Sequence, residues 1–171
     1  KSEPIPATVP GCVHTDLMAA GLIPDPYYRD NESSLQWIGE TDWTYTRTFT
    51  VDEEFLQYDR LMLRCEGLDT LAAVLVNRRK VAETDNMFRT WEFDVRGCLK
   101  SGENTITIVF RSTIPYVKRR QKERYLHAWK GPLDVKGGNW VRKEPCNYGW
   151  DWGPVLVTCG IWRNISLIAF N

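Results

Sequence analysis

A β-sandwich or closed β-barrel is the fold class this sequence predicts, and three observations predict it. Seven or eight short segments are rich in β-branched and aromatic residues and alternate with a period of two. Turn-forming residues stand between them. Helices that could cross over between parallel strands are missing, which disfavours a parallel βαβ sheet. The chain has 171 residues, the length of one domain. A domain of ~150 residues buries roughly two-thirds of the surface its unfolded chain exposes. Hydrophobic residues make up 43% of it, so global disorder is not expected.

The elements follow in order. VPGCVHTDLMAAGLIPDPYY holds a brief helical pattern from about Thr15 to Ala20, ended by Pro24 and Pro26. Residues 27–41 read as a loop. Residues 43–51, WTYTRTFTV, have strand composition. RLMLRCEGL at 60–68 puts Leu61, Leu63 and Cys65 on one face. LAAVLVN at 71–77 and KVAET at 80–84 flank Arg78-Arg79, the expected hairpin turn. FRTWEFDV at 88–95 places Trp91, Phe93 and Val95 together. A turn at 100–103 leads into NTITIVFRS, and IWRNISLIAF at 161–170 is expected as the last strand. Residues 114–129 form either a helix or part of a long irregular excursion reaching residue 154.

Composition excludes several functions. Lys+Arg and Asp+Glu are 22 each, so the chain lacks the broad positive field of a nucleic-acid binder. No apolar run reaches the ~18 residues of a membrane span. No signal peptide opens the chain. It starts without Met and ends in strand-like residues, so a mature or excised piece of something longer is expected. Cysteines stand at 12, 65, 98, 146 and 159, an odd number with no C-x-x-C spacing. Cys146 and Cys159 could bridge the loop between them, or remain buried free thiols. Asn31-Glu32-Ser33 and Asn164-Ile165-Ser166 are glycosylation sequons that permit a secretory route.

Most chemical motifs fail. Residues 118–124, KRRQKER, read as a solvated helix face, because their charge is local and balanced elsewhere. His14 and His127 are the only histidines, and no His/Cys cluster supports a metal. His14 is expected to cap or pack. Phosphate-binding glycine motifs are absent. Among the acids, Asp52-Glu53-Glu54 reads as a solvated turn. Glu66, Asp69, Glu83 and Asp85 flank strand ends, and none is marked as a glycosidase pair.

One stretch resists a structural explanation: CNYGWDWGPVLVTCG at 146–160. If both indoles fill the core, Asp151 is a buried carboxylate and needs a partner. One of the two indoles is expected to be core. The alternative is recognition. A carboxylate grips adjacent sugar hydroxyls, and an indole offers a flat face to a pyranose ring.

The residues around this stretch carry a resemblance. NWVRKEPC at 139–146, WDWGP at 150–154 and GIWR at 160–163 closely resemble the N-terminal domain of β-mannosidases in glycoside hydrolase family 2. VPGCVHTDL at 9–17, DPYYRDNE at 25–32, DWTY at 42–45 and ETDNMF at 83–88 agree as well. The likeness covers nearly the whole chain, in order, and the animal lysosomal form is the most similar.

The resemblance implies a jelly-roll, sugar-binding-like domain over residues 1–171. In the family it is followed by an immunoglobulin-like domain and a (β/α)8 barrel, both absent from this chain. The barrel supplies the acid/base and nucleophile glutamates for retaining hydrolysis of terminal β-mannosides. No catalytic residue, cofactor or metal is therefore expected here. The carried-over substrate contacts are Asp151, with Trp150 shaping the pocket and Trp152 mainly structural. Arg142 and Lys143 also match, Arg142 as a charge partner for Asp151 or its loop. The implied partners are a β-mannoside and the barrel of the same polypeptide, with no nucleic acid or membrane. The implied location is the lysosome or secretory pathway, with Asn31 and Asn164 as glycan acceptors. A stand-alone lectin-like module and a purely structural docking domain remain as alternatives. β-Galactosidase and β-glucuronidase share the domain plan, but the WDWGP stretch argues against them.

Overall fold

The computed structural model describes residues 3–127 and 135–171. Two antiparallel sheets face each other in a jelly-roll β-sandwich. One has the order β1-β7-β4-β5, from strands Trp43–Val51, Gly102–Arg111, Leu71–Val76 and Arg79–Thr84. The other has the order β6-β2-β9, from Trp91–Asp94, Arg60–Cys65 and Ile165–Phe170. A short pair, β3 (Leu68–Asp69) and β8 (Gly160–Ile161), closes one end.

The period-2 pattern explains the core. Leu61, Leu63 and Cys65 of β2 face Ala72, Val74 and Val76 of β4, and Ile108 and Phe110 of β7. All eight are buried. Burying one Val, Leu, Ile or Phe side chain stabilises by roughly 1.5–3 kcal/mol, so this layer dominates the fold.

The β4–β5 turn is one residue earlier than the sequence predicts. Val76 pairs with Arg79, leaving Asn77-Arg78 as the two-residue turn, with φ of 49° and 67°. Asn tolerates the left-handed region better than Arg. Here Asn77 also donates to Cys98 O at 2.8 Å and Asn104 Oδ1 at 2.7 Å, and accepts from Thr105 N at 2.9 Å. The expected last strand is broken between Ile161 and Ile165. Trp162 turns inward over Gly67, where a Cβ would meet its indole at 2.4 Å, and donates to Met87 O at 2.9 Å.

Helical segments wrap the sandwich. α1 is Val13–Ala19, two residues earlier than the sequence pattern and capped by the Cys12/Thr15 pair. Its Asp16 accepts from Thr8 N at 2.9 Å and Tyr45 OH at 3.0 Å, tying the helix to β1. The region expected to be loop holds two single turns, α2 (Asn31–Ser34) and α3 (Trp37–Glu40). α4 covers Thr113–Glu123, and Ser112 caps it by accepting from Ile114 N. Trp129 and residues 128–134 of the segment expected to be helix or excursion lie outside the described residues. The basic run is a solvated face: Arg119 and Arg120 pair with Glu123, and Lys118 lies 4.0 Å from Glu40. No helix among the described residues is long and apolar enough to cross a membrane.

Candidate functional site

The WDWGP residues sit at the tip of an arm, residues 143–158, that leaves the sandwich beside α4. Its stems are built for rigidity. Tyr148, Val155 and Val157 form a buried cluster with Ile114 of α4. Tyr148 OH donates to Thr113 Oγ1 at 2.6 Å, and its carbonyl accepts from Val135 N at 2.8 Å. Gly138 makes room for the Tyr148 ring, since a Cβ there would lie 2.5 Å from it. Burial pushes the Tyr148 phenol well above its ordinary range, so it remains a donor.

Polar groups cross-link the stems below this cluster. Lys143 Nζ donates to Asp69 Oδ2 at 2.5 Å, and the two side chains are 0% and 4% exposed. Thr158 Oγ1 accepts from Lys143 at 3.0 Å. It also lies 2.9 Å from Asp69 Oδ2 and 3.0 Å from Asn147 Oδ1, its one proton serving either. Thr70 completes the set by donating to Asp69 Oδ1. A buried ion pair is tolerated only when its remaining hydrogen-bonding capacity is met, as here.

The tip is the opposite. A tight turn pairs Trp150 with Gly153 and puts Asp151 and Trp152 at its apex. Trp150 is 44% exposed and Trp152 72% exposed, with ring centroids 6.3 Å apart at 48°. The expectation that one indole is core is therefore corrected, including the structural role given to Trp152. Asp151 is exposed too, so water solvates it and the argument from a buried carboxylate falls. What stands is an exposed carboxylate flanked in the chain by two exposed indoles.

The remaining sequence candidates separate from the tip. Arg142 is exposed, its carbonyl accepts from Met87 N at 3.0 Å, and no ion pair joins it to Asp151 among the described residues. Lys143 is spent on Asp69 inside the protein and does not reach a sugar at the tip. Asn31 is half-buried with its Nδ2 donating to Asp25 O at 2.9 Å, whereas Asn164 is exposed. Cys146 and Cys159 are not joined; all five cysteines are free. Burial pushes the Cys65 thiol up to about 12 and the Cys159 thiol higher still, which makes both poor nucleophiles. No group of His, Cys, Asp and Glu among the described residues could hold a metal.

Sequence reasoning missed the residues that hold the arm: Asp69, Asn147 and Thr158 inside, and Glu32 and Gln36 outside. Glu32 and Gln36 both bond the backbone of Val155, across 123 and 119 positions of sequence. No spacing signal reports such a pair. A cleft of about 620 Å³ lies elsewhere, lined by Glu83, Asp85, Arg89, Trp91, Arg111 and Tyr116 among others, and contains no residue of the tip.

Comparison with known proteins identifies the family and the fold. Residues 1–163 match the family model described as glycosyl hydrolase 2 galactose-binding domain-like. The chain is 40% identical to the β-mannosidase of Bos taurus, over 98% of this chain and 20% of that protein. It is 42% identical to the crystal structure of a β-D-mannosidase from Dictyoglomus thermophilum, with a TM-score of 0.89 over 96% of this chain and 20% of that one. An exo-chitosanase from Amycolatopsis orientalis, at 20% identity and a TM-score of 0.69, shares the fold alone. The chain thus spans about a fifth of the length of the curated relatives it matches. On both sequence and fold, the chain belongs to the galactose-binding-like domain family of glycosyl hydrolase 2, in the form carried at the N-terminus of β-mannosidases.

Proposed function

We propose that this chain is the accessory domain of a retaining exo-β-mannosidase and supplies the WDWGP tip to the subsite that holds the terminal mannose. The observation that carries this reading is the tip itself: an exposed carboxylate between two exposed indoles, on a base held by a buried ion pair. Asp151 accepts hydrogen bonds from sugar hydroxyls, and Trp150 walls the ring. The glutamates that break the glycosidic bond belong to a barrel outside these residues. Residues 1–171 act as one domain, and the polypeptide works in the lysosome or secretory pathway with Asn164 as the more accessible sequon.

Contacts to hydroxyls that tighten at an oxocarbenium-like transition state contribute several kcal/mol in such enzymes, at about tenfold in rate per 1.4 kcal/mol. Asp151→Ala in the full-length polypeptide is expected to lower kcat/KM on an aryl β-mannoside by about two to three orders of magnitude. Its melting temperature should stay at the wild-type value, because the side chain is already in water. Near-normal kinetics in that variant would remove the role.

One observation favours a second reading, a free-standing lectin-like module. The indoles of Trp150 and Trp152 stand side by side in solvent without any barrel. Tryptophan-fluorescence titration of the isolated chain with mannose and β-1,4-mannobiose separates the two. Saturable quenching that Asp151→Ala abolishes supports the lectin; a flat response supports half a site.

A further inference from the structure

The peptide unit of Val155 is held in an unusual way. It lies two residues beyond Gly153, where the tip turn closes on Trp150. This part of the arm is not in a sheet, so its backbone groups have no strand partner. Both are met from outside. Glu32 Oε1 accepts from Val155 N–H at 2.5 Å, and Gln36 Nε2 donates to Val155 O at 2.8 Å. Glu32 lies in α2 and Gln36 stands four residues on, in the turn that leads into α3, and both reach the same place. The grip is itself anchored: Gln36 Nε2 also donates to Glu32 O at 3.0 Å, and Asn31 Nδ2 donates to Asp25 O at 2.9 Å. A bond from backbone N–H to an ionised carboxylate is roughly twice as strong as a neutral one.

Glu32 and Gln36 are half-buried and belong to none of the apolar clusters. What they fix is where the chain leaves the tip. A sugar-binding carboxylate must be held to within roughly 0.5 Å of its productive place. We propose that Glu32 and Gln36 are positioning residues for the Trp150-Asp151-Trp152 tip: by gripping both hydrogen-bonding groups of Val155, they set the direction in which the carboxylate and indoles leave the sandwich. This rests on reading the tip as a sugar contact. Neither residue touches the sugar.

The test has its own internal reference. The indole N–H groups of Trp43, Trp91, Trp140 and Trp162 each donate within the chain, to Ile38 O, Asn86 O, Gln121 Oε1 and Met87 O. In a ¹⁵N-labelled chain, Glu32→Ala is expected to move or broaden the Trp150 and Trp152 indole signals and leave those four in place. Glu32→Gln still presents an oxygen to Val155 N–H and is expected to restore the wild-type spectrum. Gln36→Ala, which removes only the neutral donor, should give a smaller change of the same kind. In the full-length polypeptide, Glu32→Ala should lower kcat/KM on an aryl β-mannoside about tenfold, and Glu32→Gln should recover it.

Unmoved Trp150 and Trp152 signals in Glu32→Ala overturn the proposal, as do equal changes in Glu32→Gln. If Glu32→Ala does not fold, a Gln36→Ala spectrum identical to wild type overturns it instead. Moved indoles together with normal turnover in Asp151→Ala leave the positioning intact and reject the sugar role. Lost turnover in Asp151→Ala with still indoles in Glu32→Ala rejects the positioning alone.

Discussion

The base and the tip of the 143–158 arm carry the same kinds of residue in opposite circumstances. At the base, Lys143 and Asp69 are buried together, and the hydroxyls of Thr70 and Thr158 bond the pair. At the tip, Asp151 stands in water and Trp152 is 72% exposed. A buried charge commits its bonding capacity to the fold. An exposed one leaves that capacity to solvent. Over a few residues the arm passes from stems committed to the fold to an apex that faces water.

The sharpest way to break this comparison is to strip the base. Lys143→Met leaves the buried Asp69 carboxyl without its cation. Breaking a buried pair from one side destabilises by about 3–5 kcal/mol. We expect a loss of that size in urea unfolding. Replacing both partners, Lys143→Met with Asp69→Leu, should recover most of the stability. A single variant as stable as wild type would mean that the ion pair does not hold the arm.

A smaller effect comes from pH. His14 is 5% exposed, and its Nδ1 has no hydrogen-bond partner. Burial first, and the charge of Lys143 second, lower its pKa to about 4. The unfolded imidazole takes its proton near 6.5, whereas the folded one resists until about 4. Between those values the unfolded chain binds more protons, so stability falls as pH falls from 6.5 towards 4 and is unaffected above. The full loss is about 3 kcal/mol. Unfolding free energies at pH 7 and pH 4.5, for wild type and His14→Gln, check it. The variant should lack this part of the slope, and parallel slopes would reject the assignment.

The sandwich was legible because its signal is local. Alternation in 60–65, 71–76 and 104–111 follows from one buried face per strand, and Leu61, Leu63 and Cys65 share a buried face as predicted. The arm was legible only in part. Sequence marked Trp150, Asp151 and Trp152 as unusual but assigned them the wrong burial, since exposure depends on whether anything lies opposite. Lys143 reads like a ligand contact, and only its approach to Asp69, 74 positions away, shows otherwise. Glu32 sits inside a sequon and gives no sign of its bond to Val155. The hairpin turn moved by one residue because Asn77, unlike Arg79, accepts a positive φ and has three groups to bond.

The smallest stability effect belongs to the tip. Trp152→Ala removes an indole that is mostly in water, so little transfer free energy is lost and no cavity opens. Surface changes of this kind stay within about 0.5 kcal/mol. Its neighbour Trp150, 6.3 Å away, loses only a tilted ring contact. Recognition is another matter, because a pyranose ring laid on the indole would bury apolar area at roughly 25 cal/mol per Å². In the full-length polypeptide, Trp152→Ala should raise KM on a β-mannoside by up to about tenfold, with kcat less affected. Urea unfolding of the same variant supplies the control. A stability loss above about 1 kcal/mol would show the indole bracing the arm, and the separation of a structural base from a recognising tip would fail at Trp152.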